Sequence, residues 1–468
     1  MSCSPGPRRL RSRPVSERPI EGRAEVNTDG GRRRRAAAFA VGLAALGLYA
    51  FGTLSIGLTR DWRLIHEDNG ALHTTLALSH VRLGLRRTRA HDLFFDPRTG
   101  QGSVYGHHPP GPALILAAAF LLTGSDGPWV ARLVAIGFQL GSLFLLVELL
   151  SRVLPRGTAL FGGFLMATLP MGAYFGRMMN YEPLCLLPVL LQLTGYAAFK
   201  QDGSRRGLVR LGTGIVLGGL IDWPALFFAA AITVAEVADG LRSRPRRFAP
   251  AAVPLLSAAA IVLFDAWHLW YAGHGSLTLY RDMLSGQWPA EWKALRPLQF
   301  VSSQFEVLRR YYTHAGLVSS LIVVFSMAVP RGGLARRVFD VVDAGLLGRL
   351  LLITGVAAGA YVLAAPSWAQ AHAYWQFYAL PFVVLSMLLV WQALRRAAAG
   401  RHALIARALL AIFILDVTLS SVSMLHYRHT TPSRHAVRET ARFRATFLAP
   451  ASSPAEPRPG GSPRRASD

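Results

Sequence analysis

Uncharged apolar runs recur along the chain, among them Ala36–Thr59, Gly157–Gly176, Leu350–Ala371 and Ala373–Leu394. Such runs are roughly 20 residues long, the length a helix needs to cross the ~30 Å hydrocarbon layer of a bilayer. Between them stand short basic clusters at Arg152/Arg156, Lys200–Arg210, Arg242–Arg247, Arg331–Arg337 and Arg395–Arg401. Cytoplasmic loops collect Lys and Arg, so neighbouring clusters should be separated by an even number of crossings. The intervals hold Gly157–Gly176 with Pro183–Phe199, then Leu211–Ala238, then Phe248–Phe264 with Ala315–Pro330, then Leu350–Pro366 with Gln376–Leu394. Each reads as a helical hairpin. With Ala36–Thr59, Ala131–Ser151 and a last run Ala403–Leu425, the expected fold is an all-α polytopic membrane bundle of about 11 spans.

Two segments strain that pattern. Leu211–Ala238 has only 28 residues for two crossings. Trp223-Pro224 breaks it, because proline removes a helix hydrogen bond and disfavours helix before it. Two short helices meeting at Asp222 are expected there. Gly111–Thr123, with 13 apolar residues, is too short to span and suits an interfacial or re-entrant helix. Residues 60–128 therefore read as one large extracytoplasmic loop lying against the membrane. Residues 1–35, with ten arginines and four prolines, read as a disordered basic cytoplasmic arm. The arm leads into an uncleaved first span, since 24 apolar residues exceed a signal-peptide core of about 7–15. Residues 36–425 form the membrane domain. Residues 426–468 read as a polar, disordered extracytoplasmic tail, too sparse in apolar residues for a core.

Composition sharpens the class. Charged residues make up 16% and hydrophobic ones 52%, against about 25% charged in soluble domains. An ordinary soluble enzyme is excluded. The net charge of +24 sits in clusters between apolar runs, which points to anionic lipid rather than nucleic acid. Arginine supplies it almost entirely, since Lys200 and Lys293 are the only lysines, a usage suited to a GC-rich bacterial genome. The chain is expected in the bacterial cytoplasmic membrane with its N-terminus inside. Cys3 and Cys185 make no disulfide framework.

Candidate chemistry gathers on the outer side. The large loop holds His66-Glu67-Asp68-Asn69-Gly70-Ala71. Either acid is a helix N-cap by position, which accounts for one of the two. His66, His73 and His80 recur every seven residues and leave a divalent metal open, although seven is not ligand spacing on one turn. The loop ends in Tyr105-Gly106-His107-His108-Pro109-Pro110-Gly111-Pro112, a stiff turn that holds two imidazoles beside a helix N-terminus, as an anion requires. Arg177 with Glu182, and Asp222, fall at outward hairpins, where they are loop acids unless paired or functional. Ser367–Tyr378 is an aromatic belt. His372, Tyr374 and Gln376 remain in it as ligand contacts.

In this order the pieces resemble the GT-C membrane glycosyltransferases, nearest the protein O-mannosyltransferase and aminoarabinose transferase branch (family 39-like). They are Glu67-Asp68, Tyr105 to Pro110, Ala131-Arg132-Leu133, Arg177 with Glu182, and His372 to Tyr374. The likeness covers about residues 36–395. It implies an inverting transfer from a polyprenyl-phosphate sugar to a glycan, lipid or protein acceptor at the outer face. One of Glu67 and Asp68, with Asp68 favoured, would be the base. His66, Tyr105, His107, His108, Arg177, Glu182, Asp222, His372, Tyr374 and Gln376 would bind substrate, with His108 and Arg177 on the donor phosphate. No cofactor is implied with certainty. The chain departs from the pattern at His108, where aminoarabinose transferases have Lys, and at Gly70-Ala71, where they have an Arg nearby. Their soluble C-terminal domain is not expected in residues 426–468. The alternatives are a transporter or flippase for an anionic substrate, for which Asp416 and the Trp223-Pro224 break speak, and a structural subunit.

The alternation of basic clusters predicts topology. In a Cys3→Ser, Cys185→Ser background, cysteines at Ser204 and Ala335 should resist impermeant thiol reagents in intact cells, and one at Ser103 should react. Labelling at Ser204 would break the parity argument.

Overall fold

The computed structural model describes residues 29–95, 102–106, 108–242, 248–272, 296–328, 344–364, 366–400 and 402–448. His107, residues 1–28 of the arm, 449–468 of the tail, and the clusters Arg331–Arg337 and most of Arg242–Arg247 lie outside them. The described chain is almost wholly helical. In order it forms α1 (Asp29–Leu54), α2 (Asp68–Leu83), α3 (Leu85–Thr88), a ribbon of β1 (Leu93–Phe95) and β2 (Gly102–Val104), then α4 (Gly111–Thr123). There follow α5 (Pro128–Val153), α6 (Arg156–Thr168), α7 (Tyr181–Asp202), α8 (Arg205–Gly219), α9 (Pro224–Arg242) and α10 (Ala249–Ala272). The later helices are Pro297–Ala328, Ala344–Ala364, Leu380–Ala397, Ala403–Thr430 and Arg434–Leu448.

Among the described residues, eight helices are long and apolar enough to cross a membrane. They coincide with eight of the expected spans. The other three expected spans, Gly157–Gly176, the first half of Leu211–Ala238 and Ala315–Pro330, fall on α6, α8 and the second half of Pro297–Ala328. Side chains such as Leu48, Leu263, Phe325 and Leu404 face outward without cover, as lipid-facing positions do. The helix α1 begins at Asp29, so it runs back through Arg32–Arg35 instead of starting at Ala36.

The break at Trp223-Pro224 divides α8 from α9 as expected. The amides of Ile221 and Asp222 both turn back to the Gly218 carbonyl, and Asp222 is left in the gap. Against that gap sits the start of α4, where a methyl on Gly111 would overlap the Leu220 carbonyl. Pro297–Ala328 is likewise broken, at Thr313, whose φ is 66°. Asp416, across from this break, caps its second half by accepting the Ala315 amide at 2.7 Å and pairing with His314 at 3.0 Å.

The large loop is structured. Its helix α2 packs on α4 and α5, and the β1–β2 ribbon pairs Leu93 with Val104 antiparallel. The ribbon was not legible in the sequence. The tail departs from the expectation more strongly, because 426–430 and 434–448 are helical. The span Ala403–Thr430 continues past Leu425, and Arg434–Leu448 folds back onto α2. Leu64 bridges Pro432, the Ser433 amide donates to the Arg63 carbonyl at 2.8 Å, and the Thr440 hydroxyl donates to the Trp62 carbonyl at 3.2 Å. Trp62 and Leu64 are thereby buried.

A chain ending at Thr430 should lose this cover. Amide exchange over residues 61–67, read by mass spectrometry, should speed up while α7 stays protected. Unchanged exchange would show that the tail helix does not hold the loop.

Candidate functional site

Glu67 is the buried end of the acid pair, at 2% exposure. Its Oε1 accepts Arg177 at 2.8 Å and Arg132 at 3.2 Å. Its Oε2 accepts the amides of Arg63 and Leu64, both at 3.0 Å. Both arginines also reach loop carbonyls: Arg132 donates to Leu58 at 2.8 Å and to Arg60, and Arg177 donates to Ile56. Arg132 further lies over the Trp62 ring, and the Tyr174 hydroxyl donates to the Ile65 carbonyl at 2.7 Å. Residues 56–67 are thus strapped to α5 and to the turn before α7. Burial pushes the Glu67 carboxyl up, but the two guanidiniums and the two amides outweigh it and hold the pKa below the ordinary carboxylate value.

Asp68 is the other kind of acid. It opens α2, and neither it nor Glu67 caps that helix. Its side chain is 20% exposed, and the imidazole of His435 in the tail helix lies at 3.7 Å. Burial raises its pKa. The backbone just before is strained, with His66 at φ 66°, a conformation costly for a non-glycine residue and common at functional sites.

The sequence-predicted histidines do not form one face. His66 precedes α2 and packs on Tyr374 at 5.2 Å, and burial lowers its pKa to about 3. His73 meets the Asn180 side-chain oxygen at 3.4 Å, and burial lowers its pKa to about 4. His80 bridges Thr88 at 3.0 Å and Asp92 at 3.1 Å. No group of three His, Cys, Asp or Glu side chains among the described residues is placed to hold a metal ion.

Glu182 and Asp222 are buried, not loop acids in water. Glu182 accepts the Asn180 amide at 2.6 Å. Asp222 accepts His108 Nδ1, the Trp223 amide and the Tyr378 hydroxyl, each at 2.9 Å. His108 stacks on Tyr181 at 4.0 Å. It shares a cavity with Tyr105, Asp92, Trp223 and Asp265. Burial raises the Asp92 pKa to about 6. The same cavity is lined by His91 and His268, and His108 itself is engaged by the Asp222 carboxylate. Arg177 is taken up by Glu67 and is 1% exposed, which removes it from the phosphate. Gln376 is also structural: it donates to Gln304 Oε1 at 2.6 Å and is buried. His372 and Tyr374 stay beside His66, with His372 Nδ1 buried and unpartnered among the described residues.

Sequence reasoning missed the contacts of Arg132, Asn180, Tyr378 and His435, and the burial of Arg428 beside Tyr174 and Tyr311. Arg132 carried a signal, the Ala-Arg-Leu motif at the start of a span. His435 and Arg428 carried none, because they lay in a segment read as tail.

Residues 107–270 match the family model described as dolichyl-phosphate-mannose-protein mannosyltransferase. No curated protein matches the chain in sequence. Among solved structures, the oligosaccharyltransferase AglB from Archaeoglobus fulgidus, in complex with an inhibitory peptide and a dolichol-phosphate, aligns at TM-score 0.50 and 12% identity. That alignment covers 85% of this chain and 56% of the other. ArnT from Cupriavidus metallidurans, bound to undecaprenyl phosphate, aligns at TM-score 0.49 and 12% identity, over 88% and 77% of the two chains. The chain spans about half the length of the oligosaccharyltransferases it matches, 55% and 56%. Its fold is that of the GT-C membrane proteins, as the sequence resemblance implied.

The clamp around Glu67 predicts a stability effect. Removing one partner of a buried ion pair costs about 3–5 kcal/mol, so Glu67→Gln should sharply lower the thermal midpoint in detergent. Because the Glu67 pKa is depressed, its contribution should be full above the ordinary carboxylate range and lost as pH falls through the folded value. A midpoint in Glu67→Gln equal to wild type would show that the clamp does not stabilise the fold.

Proposed function

We propose that this GT-C-fold membrane protein is an inverting glycosyltransferase. It moves a sugar from a polyprenyl-phosphate donor to an acceptor at the outer face of the cytoplasmic membrane. One observation carries the reading: the two adjacent acids are driven apart electrostatically. Glu67 is locked as an anion between arginines, while Asp68 stands partly open at the start of α2 with a raised pKa. A base tuned upward, fixed by a rigid neighbour, is what proton abstraction near neutral pH calls for. The match to a dolichyl-phosphate-mannose mannosyltransferase model, and an AglB neighbour solved with dolichol-phosphate, support a lipid-linked donor.

In this mechanism the Asp68 carboxylate takes the proton from an acceptor hydroxyl or amine. The acceptor atom forms a bond to the sugar's anomeric carbon. The bond from that carbon to the phosphate oxygen breaks, and polyprenyl phosphate leaves with the electron pair. Attack opposite the leaving group inverts the configuration. Strain at His66 and the Glu67 clamp fix where Asp68 points, which conserves the alignment that displacement demands. Of the two features that speak for transport, Asp416 is occupied as a helix cap, while the Trp223-Pro224 break is present.

The test is transfer by purified protein in lipid from a synthetic polyprenyl-phosphate sugar. Asp68→Asn should fold normally and lose about 10²–10⁴-fold in rate. Normal turnover by a folded Asp68→Asn would sink the proposal.

The rate should also fall with acid earlier than an ordinary aspartate would allow. The ionised form is the base, and its pKa is raised by burial. His435 pulls that pKa down, so His435→Ala should move the profile to higher pH. A profile unmoved by His435→Ala would show that Asp68 does not set it.

A further inference from the structure

Three arginines are buried among the described residues: Arg132, Arg177 and Arg428. Arg132 and Arg177 share Glu67. Arg428, on the last turn of Ala403–Thr430, is 7% exposed and has no carboxylate or hydrogen-bond partner among the described residues; its Nε is buried and unsatisfied. Around it stand rings, with Tyr311 at 5.1 Å, Tyr427 at 5.7 Å and Tyr174 at 5.8 Å, and Arg310 is close enough to repel it. Cation–π contact offsets part of the cost of burying a charge, but it leaves the guanidinium's planar fork of N–H donors unused. An uncompensated buried cation is costly, and inside a membrane protein it marks a functional site by default.

Its position belongs to the candidate site. Phe175 packs on Tyr311 at 5.0 Å and on His66 at 6.1 Å. Arg428 is close enough to His66 to act on it electrostatically, and His66 stands two residues before Asp68. The helix that carries Arg428 is apolar and largely uncovered, with Ile412, Leu415, Leu419 and Val422 facing outward. The neighbouring Pro297–Ala328 does the same with Val318, Leu321 and Phe325. A hydrocarbon chain lying along these helices would bring its headgroup to the depth of Arg428.

We infer that Arg428 holds the phosphate of the lipid-linked donor, at a site the helix Ala403–Thr430 supplies. This rests on the proposed function for its choice of ligand. A guanidinium binds phosphate through two parallel hydrogen bonds, and as the sugar–phosphate bond breaks it meets the charge that grows on the leaving oxygen. The inference supplies the cation that Arg177, clamped on Glu67, does not provide.

The experiment measures binding of undecaprenyl phosphate to the full chain in nanodiscs, with undecaprenol, inorganic phosphate and phosphatidylglycerol as separate arms. Wild type should bind undecaprenyl phosphate in preference to all three. Arg428→Gln should weaken that binding about ten- to a hundred-fold, and Arg428→Lys should weaken it less. The ligand-free thermal midpoint of Arg428→Gln should hold or rise, since an uncompensated charge has been removed. A lowered midpoint with unchanged lipid-phosphate binding would make Arg428 a structural cation–π residue and overturn the inference. Equal binding of inorganic phosphate or phosphatidylglycerol would overturn the choice of ligand. Sugar transfer by wild type with full binding by Arg428→Gln would overturn this inference and leave the proposed function standing. Arg428-dependent binding without any transfer would do the reverse.

Discussion

Glu67 lying between Arg132 and Arg177 is the contact on which the rest of the outer face depends. A carboxylate and two guanidiniums so deeply buried are stable only together, because each alone would carry a large desolvation cost. Their partners come from three separate stretches: the loop after α1, the start of α5 and the turn before α7. The same arginines also hold the carbonyls of Ile56, Leu58 and Arg60. One anion therefore fixes how the first loop lies on the bundle, and with it the direction of α2.

From that anchor a polar line follows α2. His73 meets Asn180, which meets Glu182; His80 meets Asp92; His108 and Tyr378 meet Asp222. Most of these groups are saturated by neighbours, and saturation limits what they can do for a ligand. Among the described groups with a buried polar atom left unpartnered are ring nitrogens of His73, His91 and His372, carboxylate oxygens of Asp92 and Asp265, Gln376 Oε1 and Arg428 Nε, while Asp68 stands partly open. Chemistry is better sought in those than in the motif residues that the protein already occupies.

Much of the fold was legible because a bilayer makes length and charge decisive. Apolar runs gave the eight long helices, and Pro224 gave the break beside Asp222. The acid pair was legible as a pair. Its division of labour was not, because whether an acid faces two arginines depends on residues 65 and 110 positions away. Arg177 and Gln376 looked like ligand contacts from their motifs, yet each found a partner inside the bundle. The tail was misread for a related reason. Arg434–Leu448 is too polar to announce a core, and its reason to be helical is the surface of α2, which lies far away in sequence. Local pattern carries no trace of such a contact.

The join between Leu64 and Pro432 ties the first loop to the stretch between Ala403–Thr430 and Arg434–Leu448, far away in sequence. A ribosome releases the first of these segments long before the second. Trp62 and Leu64 therefore wait for part of their cover until Arg434–Leu448 has been made. The loop can be positioned as soon as Arg132 and Arg177 have emerged. Arg428 and His435, the neighbour of Asp68, emerge long after both arginines. Maturation is thus ordered in time, with the acid pair set first and its surroundings closed last. Any nascent chain stalled before Arg428 would display the carboxylates without the cation or the lid.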